Sequence, residues 1–183
     1  MNAYLVFLDE SGFQLLPSVR RTWSPRGQTP VVRHRYERRT KISAISAVTV
    51  SPSRQQCGLY ACFHFDNISH LEVAHFLRLL LRHLRGPMIV LWDGGATHKG
   101  AAVRALLTRH SRLHVERFPA YAPELNPDEQ VWGHLKGRLA NGCPDTAEEL
   151  LADLTRETRT IRKQSNLVRG FILGSELPPL FLR

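Results

Sequence analysis

A chain of 183 residues, 43% of them hydrophobic, is long enough to bury a core without covalent staples and falls within the size of one domain. Lys and Arg outnumber Asp and Glu by 25 to 16, and most of the cations are Arg, whose planar fork suits bidentate phosphate contacts, so nucleic acid leads the candidate partners. Cys57, Cys62 and Cys143 show no paired spacing, no basic segment precedes the first apolar run, and Arg or His interrupts the leucine-rich stretch at 77–84; this argues against a disulfide framework, a zinc site, a signal peptide and a membrane span, and predicts a soluble cytoplasmic protein.

Tyr4-Leu-Val-Phe-Leu8 is a continuous apolar run that reads as a buried central strand ending at Asp9. Ser24-Pro-Arg-Gly27 has Pro second and Gly fourth, as a type I turn prefers, and predicts a hairpin or an extended loop. Lys41–Val50 and Gly58–Phe65, separated by Ser51-Pro-Ser53, predict two antiparallel strands. Between Ser69 and Leu84, the residues Leu71, Ala74, Leu77, Leu81 and Leu84 recur at helical spacing until Gly86-Pro87 stops them. Met88–Trp92 is a second apolar strand, and it too ends in an aspartate, Asp93. A helix over 100–109, a strand over Leu113–Arg117 and a Pro-rich loop over 119–127 follow. Helices over 128–140 and 147–163 flank Asn141-Gly-Cys-Pro144, so residues 1–163 make the domain and 164–183 remain a tail without a clear pattern.

Three antiparallel strands, a crossover helix and then a strand parallel to the first is the element order of an α/β fold with an RNase H-like, mixed five-stranded sheet flanked by helices. In that order the strands ending at Asp9 and Asp93 are neighbours, about 4.8 Å apart, which brings two carboxylates within reach of shared metal ions. Taken singly, each Asp reads equally as a strand terminator. A third acid comes from Asn126-Pro-Asp-Glu129, where Asn is a good N-cap and Pro suits the first helical position. Spacing alone suits Glu129 both to a capping box and to a metal-facing position, and Asp128 stands beside it.

Phe7-Leu-Asp-Glu-Ser-Gly-Phe13, Trp92-Asp-Gly-Gly-Ala-Thr-His98 and Pro119-Ala-Tyr-Ala-Pro-Glu-Leu-Asn-Pro-Asp-Glu-Gln-Val-Trp132 resemble, in order, the three motifs of the mariner-superfamily DDE transposases, in particular their bacterial insertion-sequence branch. The 35 residues between Asp93 and Glu129 are similar to the short interval of that family. The resemblance implies a catalytic set of Asp9, Asp93 and Glu129 holding two Mg²⁺ ions, with Mn²⁺ as a substitute. It implies cleavage and 3′-hydroxyl strand transfer on double-stranded DNA, at element ends and target, by a homodimer in the DNA complex. Two departures stand out: Gly94-Gly95 replaces the common Asn-Ala after the second acid, and Asp128 replaces an apolar residue before Glu129. The family's N-terminal helix-turn-helix module is absent ahead of Asp9, which implies a separately encoded subunit, a frameshift fusion or a loss.

By the same resemblance His98 is a candidate for contacting phosphate or orienting Asp93, and Trp23, Arg26 and Gly27 fall in a hairpin-like region used for DNA or partner contacts. Trp23 itself is expected to pack. Arg33, Arg35, Arg38, Arg39 and Lys41 form a basic run suited to a DNA backbone, and Lys136 is a further phosphate candidate beside the packing residues Trp132 and Leu135. Glu10 alternates to the face opposite Asp9 and is not expected to be a ligand. The rival readings are another RNase H-like nuclease and a non-catalytic DNA-binding remnant of a decayed element.

Overall fold

The computed structural model describes residues 2–15, 20–31, 41–142 and 144–181. Five strands form one mixed sheet: β1 (Tyr4–Gln14), β2 (Lys41–Val50), β3 (Cys57–His64), β4 (Met88–Trp92) and β5 (Leu113–Arg117), in the spatial order β3-β2-β1-β4-β5. The first three pair antiparallel, whereas β4 runs parallel to β1 and β5 parallel to β4. Helices α1 (His70–His83) and α2 (Ala101–Arg109) carry the chain across to β4 and β5, and α3 (Pro127–Arg138), α4 (Ala147–Arg162) and α5 (Ser165–Leu173) follow.

Strand periodicity sorts side chains between two cores. On β1, Val6 and Leu8 join Ile45, Ala47 and the buried faces of α1 and α2. Phe7 and Phe13 join Ile42, Val48 and the helices α3, α4 and α5 on the opposite face. Asp9 shares the parity of Phe7 and so faces α3, while Glu10 shares that of Leu8. Each large apolar side chain taken from water by this two-sided cover contributes about 1.5–3 kcal/mol.

The expected element order is observed, with local corrections. Residue 9 does not end β1, because the parallel ladder with β4 stops at Phe7↔Leu91 while the antiparallel ladder with β2 continues to Gln14↔Lys41. Asp9 therefore lies within a paired strand, where its neighbour on one side falls away. On α1, Leu71 is 59% exposed, and the buried stripe is instead Val73, Ala74, Phe76, Leu77, Leu80 and Leu81. The turn near Gly27 is one residue later than expected: Gln28 N–H donates to Pro25 O at 3.0 Å, and Gly27 takes φ +82°, as the third position of a type II turn requires. It joins extended segments, not strands. The tail begins with α5, whose Val168, Phe171 and Ile172 are buried against the α3 side of the sheet.

One glycine is fixed by proximity. A Cβ on Gly100, at the start of α2, would stand 2.1 Å from the Cβ of His70 at the start of α1. Gly100→Ala should force these two helix ends apart and destabilise the protein by about 1–3 kcal/mol, the usual cost of overpacking. Thermal denaturation checks this, and an unchanged melting temperature would mean that His70 moves aside freely.

Candidate active site

Asp9, Asp93 and Glu129 line one open cleft of about 420 Å³, together with Arg117, Phe118, Tyr121 and Asn126. Asp93 follows the last residue of β4 and is exposed; its Oδ1 accepts the Gly95 N–H at 2.8 Å. That backbone donor orients the carboxylate where the family's Asn is missing. Glu129 sits in the first turn of α3, exposed to the cleft.

Asp9 is the enclosed member of the set. The buried indole of Trp132 donates its Nε1–H to Oδ2 at 2.9 Å. Burial, and then the negative charge of Glu129, push the Asp9 carboxyl up to about 7, against the opposing pull of the Trp132 hydrogen bond. The site thus brings three carboxylates to one cleft, with Arg117 as the cation lining it among the described residues, an arrangement that a bound divalent cation would relieve further.

The two adjacent acids of α3 have different surroundings. Asp128 is fully buried: Ser46 Oγ donates to its Oδ1 at 2.6 Å, and Val48 N–H donates to Oδ2 at 3.3 Å. Ser46 is the β2 partner of Asp9, so Asp128 is held beneath the sheet next to the first acid. Burial drives the Asp128 carboxyl well above the usual range. Asn126 caps α3 by accepting Asp128 N–H on its side chain, while its own N–H donates to Pro123 O at 2.9 Å. Glu129 is thereby released from the capping-box role, in contrast to α1, where Glu72 accepts the Ser69 N–H at 2.8 Å.

His98 is buried and stacked on Trp92, with ring centroids 4.2 Å apart. Its Nε2 lies 3.1 Å from Glu10 Oε1; its Nδ1 lies 3.1 Å from Asp93 Oδ1 but is not aligned for a hydrogen bond. The two roles expected of His98 were a phosphate contact and the orientation of Asp93; the ring is buried and stands beside that carboxylate. Lys136 is exposed, its ammonium 5.9 Å from the Phe13 ring, and Arg26 and Lys41 are also exposed. The expected contacts Arg33, Arg35, Arg38 and Arg39 lie outside the described residues. Trp23 is 99% exposed, contrary to the packing expected of it, on a loop tied at its root by reciprocal hydrogen bonds between the Arg20 backbone and the Asn141 side chain.

Sequence reasoning missed Arg117, which ends β5 in register with Trp92 and so reaches the same end of the sheet as Asp93. Its position as the last residue of a predicted parallel strand was the available signal. Among the described residues no three His, Cys, Asp or Glu side chains close on a single ion.

The chain matches the model of the DDE superfamily endonuclease family over residues 4–151. It is 24% identical over 143 residues to the transposable element Tc1 transposase of Caenorhabditis elegans, covering 73% of this chain and 51% of that protein. Among solved structures it is similar to the Mos1 transposase paired-end complex with left transposon end, with TM-score 0.65 and 20% identity over 92% of this chain and 51% of that one. It is also similar to the catalytic domain of Mos1 mariner transposase, with TM-score 0.54 and 17% identity over 95% of this chain and 84% of that one. The chain spans about half the length of the Tc1 protein and of the Mos1 chain in the paired-end complex. The fold is the RNase H-like one of the Mos1 catalytic domain, and the matched segment holds all three cleft acids: the chain belongs to the DDE superfamily endonucleases.

Proposed function

We propose that this chain is the catalytic domain of a mariner-like DNA transposase, acting on the phosphodiester backbone of double-stranded DNA at element ends and target through Asp9, Asp93 and Glu129. The observation that carries the reading is the shared cleft of these three acids, drawn from two neighbouring strands and a helix start, in a chain of the DDE endonuclease family. Similar solved structures include Mos1 paired-end complexes with Mg and with Mn and a Mos1 strand transfer complex, which supports the same metals and reaction here.

The donor set consists only of carboxylates in an open cleft, which suits Mg²⁺ or Mn²⁺, because Mg²⁺ takes few protein ligands and keeps waters or phosphate oxygens in its shell. Asp9, Asp93 and Glu129 are the residues that would hold the metal. Bound there, the ions supply Lewis acidity and a template for in-line displacement at phosphorus. The protein's part is to fix Asp9 in the sheet, orient Asp93 by the Gly95 N–H and offer Arg117 beside the phosphate path. Exposed Trp23 and Arg26 on the anchored loop are available to DNA or to a second copy in a homodimeric complex. The setting would be the bacterial cytoplasm, at the nucleoid; among the described residues no helix is long and apolar enough to cross a membrane.

Labelled DNA ends, one set pre-cleaved and one intact, incubated with target DNA and Mg²⁺ test the reading: joined products support a transposase, cleavage of the intact set without joining supports a nuclease, and binding alone supports a non-catalytic remnant. Metal itself should also register on stability. For a dissociation constant of ~1 mM, 10 mM Mg²⁺ stabilises the native state by about 1.4 kcal/mol. Scanning fluorimetry should then show a rise of roughly 3–6 °C in melting temperature. A protein indifferent to both Mg²⁺ and Mn²⁺ would count against the metal site.

A further inference from the structure

We propose that Trp132 is a positioning residue for Asp9, holding that carboxylate in the orientation that receives metal; the inference rests on the metal reading above. The indole N–H is a donor with no acceptor capacity, and a buried one needs a partner. In this structure that partner is Oδ2 of Asp9, at 2.9 Å, and the ring supplying it is 98% buried, with 2% of its surface exposed. The indole is itself immobilised, its ring meeting Phe13 edge to face at 5.9 Å and 69°. A rigid donor of this kind fixes the carboxylate plane, whereas a hydroxyl or an amine would swivel with it. Held by the indole from the core side and by the Glu10 backbone N–H, the carboxylate keeps its other lone pairs for the cleft.

Helix geometry adds a second link. Trp132 stands three residues after Glu129, so the two lie on one side of α3 and move as one rigid turn. The same turn that presents the third acid therefore grips the first, and the separation of Asp9 from Glu129 is set by helix geometry instead of by a loop. A Trp that only fills the core would satisfy its N–H on any acceptor within reach and would have no effect on metal affinity. Partners that orient metal-binding side chains typically contribute 10–100-fold to metal affinity or activity.

The test is Trp132→Phe in the full chain, which keeps an aromatic ring in the core and deletes the donor. Free Mn²⁺, followed by electron paramagnetic resonance during a titration, reads affinity without any need for turnover. Expected is a 10-fold or greater loss of Mn²⁺ affinity in a variant that still melts cooperatively. Equal affinities in parent and variant overturn the inference alone, while a parent that binds no Mn²⁺ overturns the metal reading and the inference with it. Should Trp132→Phe fail to fold, the ¹⁵N-labelled indole signals of the parent decide. The Trp132 signal, assigned by elimination with Trp23→Phe and Trp92→Phe, should move on Asp9→Ala and on addition of Mg²⁺; indifference to both overturns the proposal.

Discussion

Glu129→Gln should lower metal-dependent DNA strand cleavage by at least ~10³-fold, about 4 kcal/mol of lost transition-state stabilisation, while Asp128→Asn leaves cleavage within a few-fold of the parent. The two acids are adjacent in sequence but face different media. Glu129 opens onto the cleft, and its amide would be a much poorer metal ligand of nearly the same shape. Asp128 lies in the interior between Ser46 and Val48, where burial raises its carboxyl well above the usual range. An Asn there keeps the size without the charge: the amide oxygen accepts Val48 N–H, and the Ser46 hydroxyl turns from donor to acceptor for the amide nitrogen. Asp128→Ala, by contrast, strands both partners and should destabilise the protein by about 2–4 kcal/mol. Cleavage rates on supplied DNA ends, with melting temperatures alongside, separate the roles. Loss of cleavage in a stable Asp128→Asn protein, with Glu129→Gln still active, would reverse the assignment.

Asp9→Asn should abolish cleavage and yet make the metal-free protein more stable at neutral and alkaline pH. The Asp9 carboxyl rises from 3.8 to about 7 on folding. Below the lower value both states are protonated and the group costs nothing. Between the two values the unfolded chain has released its proton and the folded chain has not, so stability falls as pH rises, and above about 7 the loss is complete. A shift of roughly three pH units corresponds to a loss on the order of 4 kcal/mol. Removing the charge should therefore raise the melting temperature at pH 8 by on the order of 10 °C, a gain that shrinks to near zero towards pH 4. Asp128 is raised in part by the Asp9 charge, so the difference between the two curves reports Asp9 together with its coupling to Asp128. A variant that melts below the parent at pH 8 would show that the negative charge of Asp9 is itself a structural partner of Trp132.

Much of this architecture was legible because strand runs, breakers and caps are local signals. Met88–Trp92, Leu113–Arg117 and Ala147–Arg162 are observed essentially where apolar periodicity places them. The end of β1 was not legible, because residues 9–14 stay in the sheet through pairing with β2, a contact that no property of Asp9-Glu-Ser-Gly12 announces. That Asp9, Asp93 and Glu129 line one cleft was expected from strand ends and motif resemblance, whereas the burial of Asp128 beside them was not. Whether Asp128 or Glu129 faces the cleft depends on the rotation of α3 about its axis, which the Ser46 and Val48 contacts set from a strand some eighty residues earlier in the chain. The burial of His98 likewise depends on Trp92 and Glu10 meeting around it in space.

The continuation of β1 beyond the end of β4 divides the cleft into a stiff wall and a compliant one. Asp9 belongs to a backbone laddered to β2 from Leu5 to Gln14, and Asp93 belongs to a segment that has just left the sheet and is held by turn bonds alone, from Gly95 N–H to Asp93 Oδ1, His98 N–H to Gly95 O and Lys99 N–H to Ala96 O. Amide hydrogens around residue 9 should exchange with solvent only in near-global openings, and those of residues 93–96 far sooner. In the proposed reaction the oxygens of a phosphodiester would move by a fraction of a bond length between attacking and leaving positions. A pocket with one immobile wall keeps its frame of reference, and the yielding wall follows the displacement.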